Sequence, residues 1–340
     1  MQNKYLIRRV VGACVRTLVT TAGLTALPAV SFGQDASASY PTKTITFIVP
    51  YAAGGSSDAR ARQIAQKLSE YFGQAVIVDN KSGGGGNIGT NAIAKAAPDG
   101  YTIGIGNFGP LTVNKTLVPS TPFNPATDLA SVILLEKGPV LLLVNADKSP
   151  HRDLKSLVAA LKAAKGTMSY GSSGAGGVYH LTGELFKATL EVSAIHVPYR
   201  SGGQMLNDLM AGQVDYAFDM APSSLGYLKS QPPKMRALAV ANDKRLQSLP
   251  DVPTFDELGY KGLEISNWFG IVAPKGTPEA IIQKLNTAIN RALKEPDLAQ
   301  RITAPGNIIS GGTPKVFSDH IASESTRWIK LIKDKDIKVE

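Results

Sequence analysis

Residues 44–58 read Thr-Ile-Thr-Phe-Ile-Val-Pro-Tyr-Ala-Ala-Gly-Gly-Ser-Ser-Asp. Ile45, Phe47 and Val49 alternate with Thr44, Thr46 and Ile48 in a mostly β-branched run, so the stretch opens as a strand. Pro50 closes it, because proline has no N–H for the ladder. Gly54 and Gly55 free the backbone to turn, with Gly55 expected to need a positive φ. Ser56, Ser57 and Asp58 are capping residues for a helix, and Asp58 is read as a cap rather than a ligand contact. Ala61, Ile64, Ala65, Leu68, Tyr71 and Phe72 then share one helical face, and Gly73 stops the helix. Such a unit offers unpaired amides and the positive end of a helix dipole, which suits an anion. An ordinary tight βα turn is the plainer alternative; what favours the anion site is that the chain repeats the device.

The strand 75–80 leads into a second glycine run, where Gly84, Gly86 and Gly89 match a dinucleotide fingerprint. The acidic residue that should end the next strand is missing: Asp99 precedes that strand, which runs from Tyr101 into Asn107. No nucleotide is therefore expected. Residues 131–136 and 140–145 read as two strands split by Gly138-Pro139. Beyond them the same grammar returns. A helix over 151–165 precedes a strand ending at Tyr170, the turn Gly171-Ser-Ser-Gly-Ala-Gly-Gly177, and a helix over 178–190. The strand 194–197 ends in Pro198-Tyr-Arg-Ser-Gly-Gly203, and the strand 215–218 delivers Asp219 to its C-terminal end. Residues 262–273 form an apolar return strand carrying Trp268 and Phe269. Thr277-Pro278 and Thr313-Pro314 each start a helix, and Pro296 ends the first of them. Phe317, Ile321, Trp328 and Ile332 lie at helical spacing and are expected in the core.

Composition narrows the function. The 340 residues are 43% hydrophobic and 19% charged, enough to fill the cores of about two domains. Residues 1–33 combine Lys4, Arg8, Arg9 and Arg16 with an apolar stretch over 17–30 and a small-residue exit, the pattern of a secretory signal peptide. The route, general secretion or twin-arginine, stays open. With that leader removed, 32 basic and 27 acidic residues remain, a balance of +5. No basic run is interleaved with aromatics, so nucleic acid is not an expected partner. The single cysteine, Cys14, lies in the leader, which leaves no thiol chemistry for the rest. The four histidines lack metal spacing, so neither metal nor cofactor is expected. Residues 171–175 put Ala175 where a nucleophile elbow requires its last glycine. No catalytic triad is apparent, and the chain is read as a binding protein rather than an enzyme.

These elements fit two α/β lobes joined by two crossings, with the ligand beyond the carboxyl ends of the strands. Lobe 1 takes residues 40–138 and 264–340, and lobe 2 takes 139–263.

Taken in order, several stretches resemble the receptors of tripartite tricarboxylate transporters, the Bug receptors. They are Ile48-Val-Pro-Tyr-Ala-Ala-Gly-Gly-Ser-Ser-Asp58, Val78-Asp-Asn-Lys-Ser-Gly83, Pro98-Asp-Gly-Tyr-Thr102, Tyr170-Gly-Ser-Ser-Gly-Ala-Gly176, His196-Val-Pro-Tyr-Arg200, Gly212-Gln-Val-Asp215 and Ala273-Pro-Lys-Gly-Thr-Pro278. The family often has glycine after Pro-Tyr-Lys/Arg, where this chain has Ser201. The resemblance implies a type II periplasmic-binding-protein fold that closes on a small carboxylate: an organic acid, an amino acid or an aromatic acid. It implies a periplasmic monomer that delivers its ligand to the membrane components of the transporter. An exported carboxylate sensor is the alternative, and an exported hydrolase using the same cleft a more distant one. By carry-over, Tyr51, Ala53, Gly54, Gly55 and Ser56 hold one carboxylate, with Asn107 beside them. Ser172, Ser173, Gly174 and Gly176 line the opposite wall, and Tyr199, Arg200 and Asp219 set ligand choice. His180 is read as structural packing.

Overall fold

The computed structural model describes residues 39–199 and 201–338; the expected leader and Arg200 lie outside them. The first strand, β1 (Ile45–Val49), lies between parallel partners β2 (Val76–Asn80) and β3 (Thr102–Asn107). The helices α1 (Ser56–Phe72) and α2 (Asn87–Ala94) connect them. After β3 the chain runs through helical turns over 109–113, α3 (Asn114–Leu117) and α4 (Pro125–Asp128). These short helices fill the proline-spaced region that carries no clear periodicity in the sequence.

The next strand organises the fold. β4 (Leu129–Asn145) is continuous through Gly138 and Pro139, not two strands as expected. Its first part pairs antiparallel with β9 (Ser266–Pro274), up to Pro139↔Ser266. Its second part pairs antiparallel with β7 (Tyr216–Met220) on one side and β8 (Met235–Ala241) on the other. Pro139 is tolerated because its missing N–H falls where β4 changes partners. The return strand begins at Ser266, a few residues later than expected.

Beyond β4 come α5 (Leu154–Ala164), β5 (Ser169–Ser172), α6 (Val178–Leu190), β6 (Ile195–Pro198), α7 (Gly202–Ala211) and α8 (Ala221–Leu228). β5 lies parallel to both β6 and β7. After β9 follow α9 (Glu279–Ala292), α10 (Pro296–Thr303), β10 (Ile308–Ile309) and α11 (Pro314–Asp334), and β10 pairs with Glu136 and Lys137 of β4. Pro296 follows the end of α9, as expected, but it also opens α10 at a position where a missing N–H costs nothing. The strand order is β2-β1-β3-β9-β4-β7-β5-β6, with β8 and β10 on β4.

The register positions the site. Asn107, the last residue of β3, pairs with Phe269, which pairs with Glu136. Met220, the last residue of β7, pairs with Val140. The carboxyl ends of both parallel sets thus meet β4 four residues apart, about 13 Å along the strand at ~3.3 Å per residue.

Burial follows the apolar pattern. The α1 face of Ala61, Ile64, Ala65 and Leu68 packs with Phe47, Ile103, Ile282 and Ile289. Along β4, Val140, Leu142 and Val144 enter one core with Phe218, Trp268 and Trp328, while Leu141 and Leu143 enter another with Met205 and Leu209. Both faces of that half are covered, which accounts for the unbroken apolar run. Phe317, Trp328 and Ile332 are buried as expected, Trp268 is buried beside them, and Ile321 packs at the edge.

Candidate functional site

The first glycine turn is built around Asp58. Its side chain is buried and accepts from the Gly54 amide at 2.9 Å, from Asn80 Nδ2 at 3.0 Å and from Arg62 Nε at 3.0 Å. Arg62 first, with Gly54 and Asn80 adding, holds the Asp58 carboxyl down to about 2. Asp58 therefore braces the turn from within the helix, while Gly55 occupies the cap position without a side-chain capping bond. The amides of Ser56, Ser57 and Asp58, in the first turn of α1, have no intrahelical acceptor and remain for an anion. The Gly54 amide does not, being spent on Asp58.

The positive φ falls at Gly54 (+85°), whereas Gly55 is extended at −81° and 172°. The expectation for Gly55 is thus corrected: the bend precedes the cap, because a cap residue takes β-region angles. Ala53, Gly55 and Ser56 are exposed at this rim. The Tyr51 hydroxyl donates to Asn107 Oδ1 at 2.6 Å, joining the turn to the end of β3. Burial raises the Tyr51 hydroxyl well above its usual range, so it stays a donor and leaves Asn107 its Nδ2 to offer. Gly86 explains part of the second glycine run: a Cβ there would lie 2.8 Å from both Tyr51 Oη and Pro110 Cγ. That glycine serves close packing beneath Tyr51.

The second turn, after β5, is braced in the same way by other residues. The Gly176 amide donates to His180 Nδ1 at 3.0 Å. Ser172 is fully buried, with its Oγ 2.7 Å from His196 Nε2, 3.0 Å from the Gly174 carbonyl oxygen and 3.3 Å from the Gly174 amide. Ser172 and Gly176 therefore shape the turn rather than offer these groups to a ligand. Ser173 is exposed and Gly174 partly so. Gly177 precedes α6 without a side-chain cap, so a second helix N-terminus opens at these strand ends.

The Ser172–His196 contact was not legible in the sequence, because it depends on β5–β6 register, which sets Ser172 opposite Pro198. It resembles the start of a nucleophile and base pair. Ser172 is nevertheless sealed from solvent and its hydroxyl is bound within its own turn.

The Tyr199 hydroxyl bonds to Asp208, and burial first, then Asp208, raises it to about 12. Ser201 caps α7, accepting from the Gln204 amide at 3.3 Å, which gives this serine a local purpose. Asp219, at the end of β7, is buried and accepts from Ser224 Oγ at 2.9 Å. Burial pushes its carboxyl up to about 6, against the bonds from Ser224, the Met220 amide, Tyr179 and Ser223. Tyr179 is a residue that sequence reasoning missed. Its buried hydroxyl bonds to Asp219 and to Asn267 of β9, so it ties α6 to the return crossing. Nothing in the local pattern signals it.

A buried ion pair lies under the first turn. Arg60 meets Glu136 with Nε to Oε1 at 2.9 Å and Nη2 to Oε2 at 2.7 Å, and Asn307 Nδ2 adds a bond to Oε2 at 3.1 Å. It pins the first turns of α1 to β4 beside the change of partners. Two surface cavities of about 930 and 950 Å³ lie elsewhere, one near Arg152 and Arg236 and one near Leu111 and Ile321, and no candidate residue lines either.

Comparison with known proteins identifies the family and supports the fold. The family model described as the tripartite tricarboxylate transporter family receptor matches residues 60–337. Protein BugT of Bordetella pertussis is 34% identical over 329 residues, covering 96% of this chain and 98% of that one. Rpa4515 of R. palustris, solved with adipate, is 35% identical with a TM-score of 0.80, covering 88% of this chain and 99% of that one. MatC from Rhodopseudomonas palustris, solved with bound malate, is 33% identical with a TM-score of 0.76, covering 86% and 100%.

Proposed function

Since the chain belongs to the tripartite tricarboxylate transporter receptor family, we propose that it captures a small dicarboxylate in the periplasm and hands it to the membrane components of such a transporter. The observation that carries this reading is the pair of helix N-termini without side-chain caps, at α1 and α6, on strand ends that converge on β4. Each offers orphan amides and a positive dipole end, and together they suit an anion charged at both ends. Adipate and malate, bound by two relatives, are both dicarboxylates.

In this reading the amides of Ser56 and Ser57 hold one carboxylate, with Tyr51, Asn107 and the Ala53–Gly55 rim around it. The second carboxylate meets the turn bearing Ser173 and Gly174, with Arg200 supplying charge from the neighbouring loop. Asp219 selects among ligands by its protonation. Lobe 1 comprises 40–138 and 264–340, lobe 2 comprises 139–263, and the protein works as a monomer that binds without chemistry. The sealed Ser172 hydroxyl supports a receptor over a hydrolase.

The test is a thermal-shift screen of the chain without residues 1–33 against adipate, malate, citrate, glutamate and benzoate, with calorimetry on the hits. A ligand at a hundred times its Kd stabilises the folded state by about 2.7 kcal/mol. A dicarboxylate should give the largest shift, and the uncharged diamide of the best acid should give none. No shift from any acid, or equal shifts from acid and diamide, overturns the reading.

A further inference from the structure

Behind the second turn lies a group of side chains that ligand binding does not itself use. His180 of α6 and His196 of β6 stack with ring centroids 3.9 Å apart and planes 10° from parallel. His180 is buried, and Tyr170 of β5 stacks on the far side of His196 at 5.0 Å. Glu184 of α6 accepts from the Tyr170 hydroxyl at 2.7 Å and from Lys187 at 2.8 Å, and lies 3.9 Å from His180 Nε2. Tyr216 of β7 closes the group by stacking on Tyr170.

The bonding pattern assigns the ring protons. An amide N–H can only donate, so His180 Nδ1, which receives the Gly176 N–H, carries no proton. The proton of His180 then sits on Nε2, toward Glu184. The Ser172 hydroxyl donates to the Gly174 carbonyl and accepts from the Gly174 amide, so it is satisfied when His196 Nε2 donates to it.

We infer that His180 and His196 are positioning residues for the ligand-holding turn after β5, and that His180 holds it only as a neutral imidazole. Protonating His180 Nδ1 would set two donors against each other and release the Gly176 amide. Charging both rings at once would also set two like charges 3.9 Å apart. The charged groups nearby do not relieve this, because Glu184 already answers Lys187. Burial depresses both rings, His196 to about 4, with His196 lowered further by His180; Glu184 acts the other way on both and Lys187 with the burial. The turn is therefore intact at neutral pH and opens in acid.

This inference rests on the proposed receptor function for its consequence, a loss of affinity in acid, but its basis is testable without ligand. Nitrogen-15 NMR of the ligand-free chain should show His180 as the neutral Nε2–H tautomer at pH 7. The Gly176 amide resonance should shift on acidification with the same midpoint as the His180 ring. An Nδ1–H tautomer, or a Gly176 amide indifferent to the His180 titration, overturns the inference whatever the ligand. With adipate as probe, His180→Phe keeps an aromatic stack but no acceptor, and should weaken binding about tenfold at pH 7.5, the worth of one hydrogen bond. His180→Asn restores an acceptor near the Nδ1 position, and should rescue most of that loss without the acid limb of the parent. Equal affinities and equal pH profiles in the parent and His180→Phe proteins refute the positioning role. If adipate binds none of the proteins, that outcome counts against the ligand class, while the NMR result still decides the inference.

Discussion

Replacing Arg60 by methionine tests how α1 is fixed to β4. The Arg60 and Glu136 side chains are only 7% and 2% exposed, so water cannot take over when one partner is lost. The guanidinium supplies two of the three bonds to the Glu136 carboxylate, and only Asn307 Nδ2 remains in Arg60→Met. Removing one partner of a buried, well-bonded pair costs about 3–5 kcal/mol, because the other charge stays buried and unpaired. Replacing both partners by apolar groups of similar size is often close to neutral. Here the double variant Arg60→Met, Glu136→Leu leaves the Asn307 amide without its acceptor, an added cost of about 1–3 kcal/mol. The single variant should thus lose at least as much stability as the double one, and on central values more. The assay is urea unfolding at pH 7.5, followed by the fluorescence of Trp268 and Trp328, both fully buried. A loss below about 1 kcal/mol in Arg60→Met would refute the reasoning, since it would mean that Glu136 finds other compensation.

Four further outcomes are expected. Gly54→Ala forces a side chain to φ +85° and should cost about 1–2 kcal/mol, while Gly55→Ala, extended and with its nearest neighbour at 3.7 Å, should be nearly silent in the same unfolding assay. Gly55→Asp should fold yet bind a carboxylate far more weakly, since two like charges at about 4 Å repel by about 4 kcal/mol at an effective dielectric near 20; calorimetry showing parental affinity would move the anion elsewhere. Because the folded-state carboxyl of Asp219 is raised to about 6, its contribution is fully present below its unfolded value and lost as pH rises through 6. The stability of the parent relative to Asp219→Asn should therefore fall between pH 4 and pH 7, and a flat difference would show that Asp219 titrates normally. If the ligand touches both lobes as proposed, a closed form is favoured, and solution scattering should give a smaller radius of gyration with saturating ligand. An unchanged radius would speak against closure.

What the amino-acid sequence determined by itself was local. Residues 44–73 declare a strand, a glycine turn and a helix because alternation, β-branching, capping residues and a terminal glycine all act within a few positions. The repeat of that unit at 167–190 follows from the same short-range rules, and so does the burial of Phe317, Trp328 and Ile332 from their spacing. The tertiary structure alone decided how those units combine. Whether β4 breaks at Gly138-Pro139 depends on partners that arrive from β7, β8 and β9, not on the dipeptide. Which amides stay free is likewise a matter of internal acceptors. Asp58 takes the Gly54 amide from four residues away, and His180 takes that of Gly176, so glycines that look alike in sequence differ in what they can offer. The bond between Asn307 and Glu136 spans 171 positions, and that between Arg60 and Glu136 spans 76. Such contacts, like the stack of His180 on His196, are set by strand register and helix packing, which no window of sequence contains.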